Sequence, residues 1–307
     1  MTIQPCLIDL SNRAKFQLSG PDRDRYLNGQ VSNKVSLATA ERAIEACVCN
    51  VKGKLDGVVF ITRAADAETL LIDAPAELRE SLFARLDRYL IADDCELTDV
   101  TDDFGLIHAI GERPDLPGAA WRSANRFGPV GHDLWITPDS RKSLMKSAGA
   151  TWRPTETAAD IEEIRIRHGI PKWGAELSPD VLPAEAGLDL RAIDFHKGCY
   201  LGQEVISRIK SVGRVNRSLG LLSPINHEEG ISISSGDLLY PETSATTEES
   251  AIKPAGTVTS VSTGGKWAMA YLRRDWTTPE TRLVTRPTDA KVKVGILEVR
   301  TFESAED

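Results

Sequence analysis

The stretch DFHKGCYLGQEVISRIK (residues 194–210) is neither a packed core segment nor an ordinary surface loop. It sets Cys199 between Gly198 and Tyr200, with Lys197 two positions before the thiol and His196 beside the lysine. Gly198 and Gly202 permit close backbone approach. From Gly202 onward the residues predict a short helix with Val205, Ile206 and Ile209 on one face and Gly213 beyond its end. A thiol near a helix N-terminus and a lysine is biased towards the reactive thiolate. A buried, inert cysteine in a turn is the competing reading, and the residues alone leave both open.

Charge sharpens the choice. Between residues 196 and 217 stand Lys197, Arg208, Lys210, Arg214 and Arg217 against the single anion Glu204, a local net charge of +4 in a chain whose total is −8. A solvated helix face would explain such a run, whereas a sign reversal of this size points to an anionic ligand. The acidic whole argues against broad binding of nucleic acid, which rests on phosphate neutralisation, so no direct nucleic-acid partner is expected. The five cysteines (Cys6, Cys47, Cys49, Cys95 and Cys199) are odd in number and scattered, unlike a disulfide framework. No cysteine or histidine spacing matches a metal site, and none is expected. Cys47 and Cys49 read as small apolar residues of a core strand. No apolar run approaches the roughly 18–20 residues needed to cross a bilayer, and the opening MTIQPCLIDLSNR lacks the pattern of a secretory signal. The expectation is a cytoplasmic protein with no membrane partner.

Outward from the cysteine, the first two thirds read as mixed α/β. SGPDRDRYLNGQVSNKV predicts a short helix near 21–29, and RAIEACVCN and LDGVVFITR predict strands joined at VKGK, where Gly53 permits a tight turn. In APAELRESLFARLDRYLIADD, Leu78, Leu82, Leu86 and Leu90 recur every fourth residue and predict a helix, flanked by the strands LIDA and CELTDV. GLIHAIG and HDLWITP predict strands, and helices follow near 139–148 and over TAADIEEIRIRHG. Residues 170–193 form a loop rich in proline and glycine, long enough to suggest a task. After about residue 211 short alternating runs separated by turn residues predict an all-β barrel or sandwich. ETSATTEESAIKP is expected to be an exposed, mobile loop. The architecture is α+β: a body over 1–210, of two α/β subdomains, followed by a small β-barrel domain over 211–307.

KGCYLGQEVISR (197–208) resembles the K-G-C-[YF]-x-G-Q-[ED] signature of the YgfZ group of folate-binding proteins, relatives of the glycine-cleavage T-protein. The resemblance covers most of the chain: GPDRDRYLNGQVSNKV (20–35), NVKGKLDGVVFI (50–61), RIRHGIP (165–171), LPAEAGLDLRAIDFHKGCY (182–200) and AGTVTSV with WAMAYLRR near the end all look like segments of that family. The cysteine motif is specific; the other segments are weak singly. The resemblance implies a three-part fold with a central channel, tetrahydrofolate as cofactor, and a role in assembling or repairing iron–sulfur clusters in client enzymes, including those that modify tRNA. Carried over, Cys199 is the functional thiol, and Lys197, Gly198, Tyr200, Gly202, Gln203, Glu204 and Arg208 are the ligand-binding residues around it.

The alternative is a tetrahydrofolate-dependent aminomethyltransferase. Asp56, in KGKLDG, matches the T-protein's first aspartate of GGILDD, where a carboxylate is thought to orient folate and handle protons, work suited to a group whose pKa shifts in a channel. A hairpin aspartate in water is the plainer reading. Against the transferase, the glutamate of the T-protein's RiEaG is Arg167 here, and a guanidinium has only donors to offer the pterin's donor edge. Glu185 is the candidate substitute acceptor. A basic run at Arg208, Lys210, Arg214 and Arg217 would suit the carboxylate tail of a folate. Whether the chain transfers a one-carbon unit stays open at this level.

Overall fold

The computed structural model of the chain describes residues 5–211, 213–225, 233–242, 253–285 and 296–302. Its strands form where apolar residues alternate, because alternation puts one side of a strand against a core. In β2 (Ala14–Ser19) the buried Ala14, Phe16 and Leu18 share one face and pack with Leu78, Leu82 and Leu86 of the helix predicted over the leucine stripe. That helix, α2 (Arg79–Asp87), is shorter than the stripe suggested. A 3-10 turn replaces its start at Ala76–Leu78, and near its end the Leu86 carbonyl accepts the Tyr26 hydroxyl.

The first sheet has the order β3-β4-β5-β2-β6, with β3 at Ile44–Cys49, β4 at Leu55–Arg63, β5 at Leu70–Ala74 and β6 at Glu96–Asp99. Residues of α1 (Arg23–Gln30) and α2 fill its core with Tyr26, Leu27 and the leucine stripe. The second sheet has the order β10-β1-β7-β9-β8. Its strands are β1 (Cys6–Asp9), β7 (Gly105–Ile110), β8 (Arg122–Ala124), β9 (Gly131–Ile136) and β10 (Trp152–Arg153), with α3 (Pro138–Ala148) packed on one face through Leu144 and α4 (Ala159–Arg167) on the other through Ile161. The chain thus begins in the second sheet, crosses to the first within a few residues and returns at β7, where Ile8 faces His108 across the ladder. The short strands β8 and β10 were not legible in the sequence.

Beyond the long loop, α5 (Gln203–Ser211) leads into a closed six-stranded barrel ordered β11-β14-β13-β12-β15-β16, built from β11 (Arg217–Pro224), β12 (Leu238–Pro241), β13 (Gly256–Val261), β14 (Ala268–Arg273), β15 (Arg282–Thr285) and β16 (Ile296–Arg300). Closure pairs each of these described strands on both sides. Leu222, Leu239, Val258, Leu272, Leu283 and Leu297 fill its interior. Most of the loop expected to be mobile, residues 243–252, lies outside the described residues. The barrel is tied to the body by Arg165, whose guanidinium donates to Glu176 Oε2 at 3.2 Å and to Ser260 Oγ at 2.8 Å, while Ser260 donates to Glu176 Oε1 at 2.6 Å. Among the described residues no helix is long and apolar enough to cross a membrane.

Candidate functional site

The motif around Cys199 is a turn fastened to the end of α1. Helix C-termini leave carbonyls without intrahelical partners and carry partial negative charge. The Lys197 ammonium occupies that place: it donates to the carbonyls of Asn28 at 2.8 Å, Val31 at 2.7 Å and Asn33 at 2.7 Å. Burial holds its pKa down to about 8 against the pull of Asp194. Next along, Tyr200 is buried with Cys47, Cys49, Leu55 and Val58, and its ring lies 5.2 Å from the lysine nitrogen. The Asp194 and Leu201 amides pin the two ends of the turn to the carbonyls of Ser32 and Gly29. Gly202, at φ +86°, lies so close to the β3–β4 hairpin that a Cβ would stand 2.5 Å from the Asn50 carbonyl oxygen, so only glycine fits. Between these fixed neighbours Gly198 and Cys199 are exposed.

This arrangement corrects the expected partnership of lysine and thiol. An ammonium has three donors, and all three of Lys197's are on carbonyls. The helix begins only at Gln203, four positions past the thiol. Lys197 positions the turn that carries Cys199. Cys47 and Cys49, expected as core residues, are fully buried.

A separate cavity of about 400 Å³ opens between the two sheets and the long loop. Val58 and Phe60 of β4, Phe127, Trp173 and Leu177 supply apolar walls; Glu45 and Glu156 supply carboxylates; Arg13, Arg126, Lys172 and Arg191 supply cations. Arg126 belongs to a buried network that joins the sheets. Its guanidinium donates to Asp73 of β5 at 2.6 and 3.0 Å and to Asp133 of β9 at 2.7, 2.9 and 3.0 Å, and stacks on the Phe60 ring at 4.0 Å. His108 Nδ1 lies 2.8 Å from Asp133. Burial alone would raise the Asp133 carboxyl's pKa, but Arg126 and His108 hold it well below the usual carboxylate range. Burial lowers the pKa of His108, against the pull of Asp133. A second cavity, of about 370 Å³, shares Glu45, Phe60, Ile170 and Arg191 with the first, so the Glu45–Arg191 ion pair, with Nη2 to Oε1 at 2.8 Å, stands between them. Nothing in the sequence marks this network, since Asp73 and Arg126 are 53 residues apart and Glu45 and Arg191 are 146 apart.

The structure places the remaining expected residues elsewhere. Lys197, Gly198, Tyr200, Gly202, Gln203, Glu204 and Arg208 line neither of these two cavities. They build the cysteine turn and α5, with Glu204 and Arg208 exposed. Asp56 lines neither cavity either. The β3–β4 pairing shifts register beside Cys49, so Leu55 joins the Tyr200 cluster while Asp56 meets Arg85 of α2, Oδ2 to Nε at 3.0 Å. Arg85 donates as well to Gln30 Oε1 at 3.0 Å and the Cys49 carbonyl at 3.2 Å. Glu185 accepts from Arg217 at 3.1 Å and turns back to the Leu182 amide at 3.4 Å, which already engages one of its carboxylate oxygens. The Arg167 guanidinium lies over the Trp267 ring of the barrel, 5.6 Å from its centroid.

No protein-family model matches the chain. Over 233 residues it is 26% identical to the tRNA-modifying protein YgfZ of Colwellia psychrerythraea, covering 71% of each chain. Over 262 residues it is 22% identical to the mitochondrial iron–sulfur cluster assembly factor IBA57 homologue of Dictyostelium discoideum, covering 71% of this chain and 62% of the relative. The chain is similar to the YgfZ and IBA57 proteins. This agrees with the resemblance carried by the cysteine motif. Among solved structures, the glycine cleavage system aminomethyltransferase T from Bartonella henselae superposes with a TM-score of 0.79 over 97% of this chain and 85% of that one, at 17% identity. The two share a fold, with the barrel at the C-terminal end as in the sequence reading.

Proposed function

We propose that the chain is a tetrahydrofolate-binding protein that assists assembly or repair of iron–sulfur clusters in client enzymes, tRNA-modifying enzymes among them, with Cys199 as its functional thiol. The observation that carries this reading is the build of the cysteine turn. An exposed thiol stands in a turn whose neighbours are each held, Lys197 by three carbonyls, Tyr200 by burial of its ring and Gly202 by its backbone's contact with the hairpin. Such a turn presents one sulfur at a fixed position to a partner. The cluster is cargo: a single cysteine offers one transient thiolate, and among the described residues no group of three or more His, Cys, Asp or Glu is arranged to hold a metal.

The cavity between the sheets is chemically suited to the folate. Ligand sites are typically about 300–1,000 Å³, and this cavity, at about 400 Å³, is of that size, with charged side chains beside the aromatic ones on its walls. Phe60, Phe127 and Trp173 would flank the flat rings, and the ion pairs Glu45–Arg191 and Glu156–Arg13 would exchange partners to meet the pterin's amino–imino edge and the carboxylate tail. When bound, the folate would supply a one-carbon carrier. The residues of this chain do the rest: they bind and orient it, and the Arg126 network keeps both sheets in register around it. Asp56, the carboxylate that the aminomethyltransferase alternative assigns to the folate, is engaged by Arg85 outside the cavity.

The test is complementation of a strain lacking the native protein, read as the level of cluster-dependent tRNA modification. Wild type restores it and Cys199→Ser does not, while both bind tetrahydrofolate equally. Full restoration by Cys199→Ser would remove the thiol from the reading.

A further inference from the structure

A third cavity, of about 300 Å³, lies where α5 meets the barrel, and it shares no lining residue with the two between the sheets. Its floor is apolar, formed by Leu182, Pro183, Phe195, Ile206 and Ile209. Its rim carries Lys210, Arg214 and Arg274 against one carboxylate, Asp189. These cations differ from the chain's other functional-looking arginines. Arg165, Arg191 and Arg217 all face carboxylates, whereas Lys210, Arg214 and Arg274 are exposed and, among the described residues, none is in an ion pair. Lys210 reaches back only to the Phe195 ring, 5.1 Å from its centroid.

We propose that this groove is a docking surface for an acidic protein segment that inserts one apolar side chain between the cations. A desolvated apolar centre with a charged rim is how protein interfaces are commonly built, with one anchor residue in a pocket contributing most of the binding. Charge selects the partner: on a chain of net charge −8, unpaired cations around an apolar floor repel basic segments and steer acidic ones. RNA fits less well, since its binding rests on neutralising many phosphates in a row, and this rim has three cations over a largely aliphatic floor. Lys210 lies seven residues along α5 from Gln203, about 10 Å of helix. A docked segment is therefore held on the helix that grows out of the Cys199 turn. The inference goes beyond the folate reading and stands without it.

The test uses the full chain and fluorescence anisotropy of a short fluorescein-labelled peptide carrying aspartates on both sides of one leucine. Saturable binding is expected, weakened by added salt, and weakened about tenfold by Arg214→Glu with Arg274→Glu. A peptide with glycine for the leucine should bind several-fold more weakly. Lys210→Glu alone serves as a second variant if the double substitution lowers the thermal midpoint. No saturable binding, equal binding of a lysine-substituted peptide, binding unchanged in the folded variants, or displacement by a short oligouridylate as effective as by unlabelled peptide would overturn the proposal. Since no folate is present, none of these outcomes bears on the cavity between the sheets.

Discussion

The ammonium of Lys197 rests 2.7 Å from the main-chain carbonyl of Val31, facing the end of α1 and not the thiol two residues on. A buried carbonyl that loses its donor costs about 1–3 kcal/mol, and the buried Val31 carbonyl would lose its donor together with the part-buried carbonyls of Asn28 and Asn33, where water can replace it. Lys197→Met should therefore lower stability by about 2–4 kcal/mol, seen as a fall in the urea midpoint at unchanged m. A midpoint equal to wild type would mean that the lysine does not fasten the turn.

Cys199 has the opposite character. It is exposed, and surface substitutions usually change stability by less than about 0.5 kcal/mol. Cys199→Ser should melt with wild type while losing function in the complementation assay. A variant that melts far lower would return the cysteine to a packing role.

Arg126 joins the sheets from a buried position, and removing one member of such a pair leaves an uncompensated charge, at a cost of about 3–5 kcal/mol. Arg126→Met should lose stability on that scale in urea denaturation, and a loss under about 1 kcal/mol would show that the network is not what holds β5 to β9.

The same network predicts acid sensitivity. His108 and Asp133 both have folded pKa values below their ordinary ones, so the unfolded chain binds protons more readily and stability falls as pH falls. For His108 the loss begins below its ordinary value of 6.5; for Asp133 it begins near 3.8 and continues below. His108→Asn keeps a donor for Asp133 without a titrating ring. Urea midpoints across pH 5 to 7 should slope in wild type and flatten in the variant, and parallel slopes would contradict the assignment.

The sequence revealed the secondary elements wherever periodicity was local: the leucine stripe of α2, the alternating runs of the barrel, the helix after Gly202. It revealed the Cys199 turn because glycine, lysine and cysteine fall within six residues. It could not reveal contacts made across the fold. The exchange of β1 into the second sheet, the Arg126 network and the Glu45–Arg191 pair join residues tens to more than a hundred positions apart, with no shared local pattern. Asp56 shows the limit from the other side. Alternation along β4 would put it on the face of Val58 and Phe60, but the register shift beside Cys49 turns it to Arg85.

That placement is itself testable. Asp56→Asn should leave tetrahydrofolate affinity unchanged and cost about 1–3 kcal/mol through the partly buried pair with Arg85. A large loss of affinity, read by calorimetry, would put the carboxylate back at the ligand.

The measurement closest to the central claim is calorimetric titration of tetrahydrofolate into the pure protein, its Cys199→Ser variant, and Val58→Trp, which fills the cavity between the sheets while the far-UV spectrum checks its fold. The account predicts one saturable site in wild type, the same site in Cys199→Ser, and its loss in folded Val58→Trp. Absence of binding to wild type, or binding that folded Val58→Trp retains in full, would contradict it.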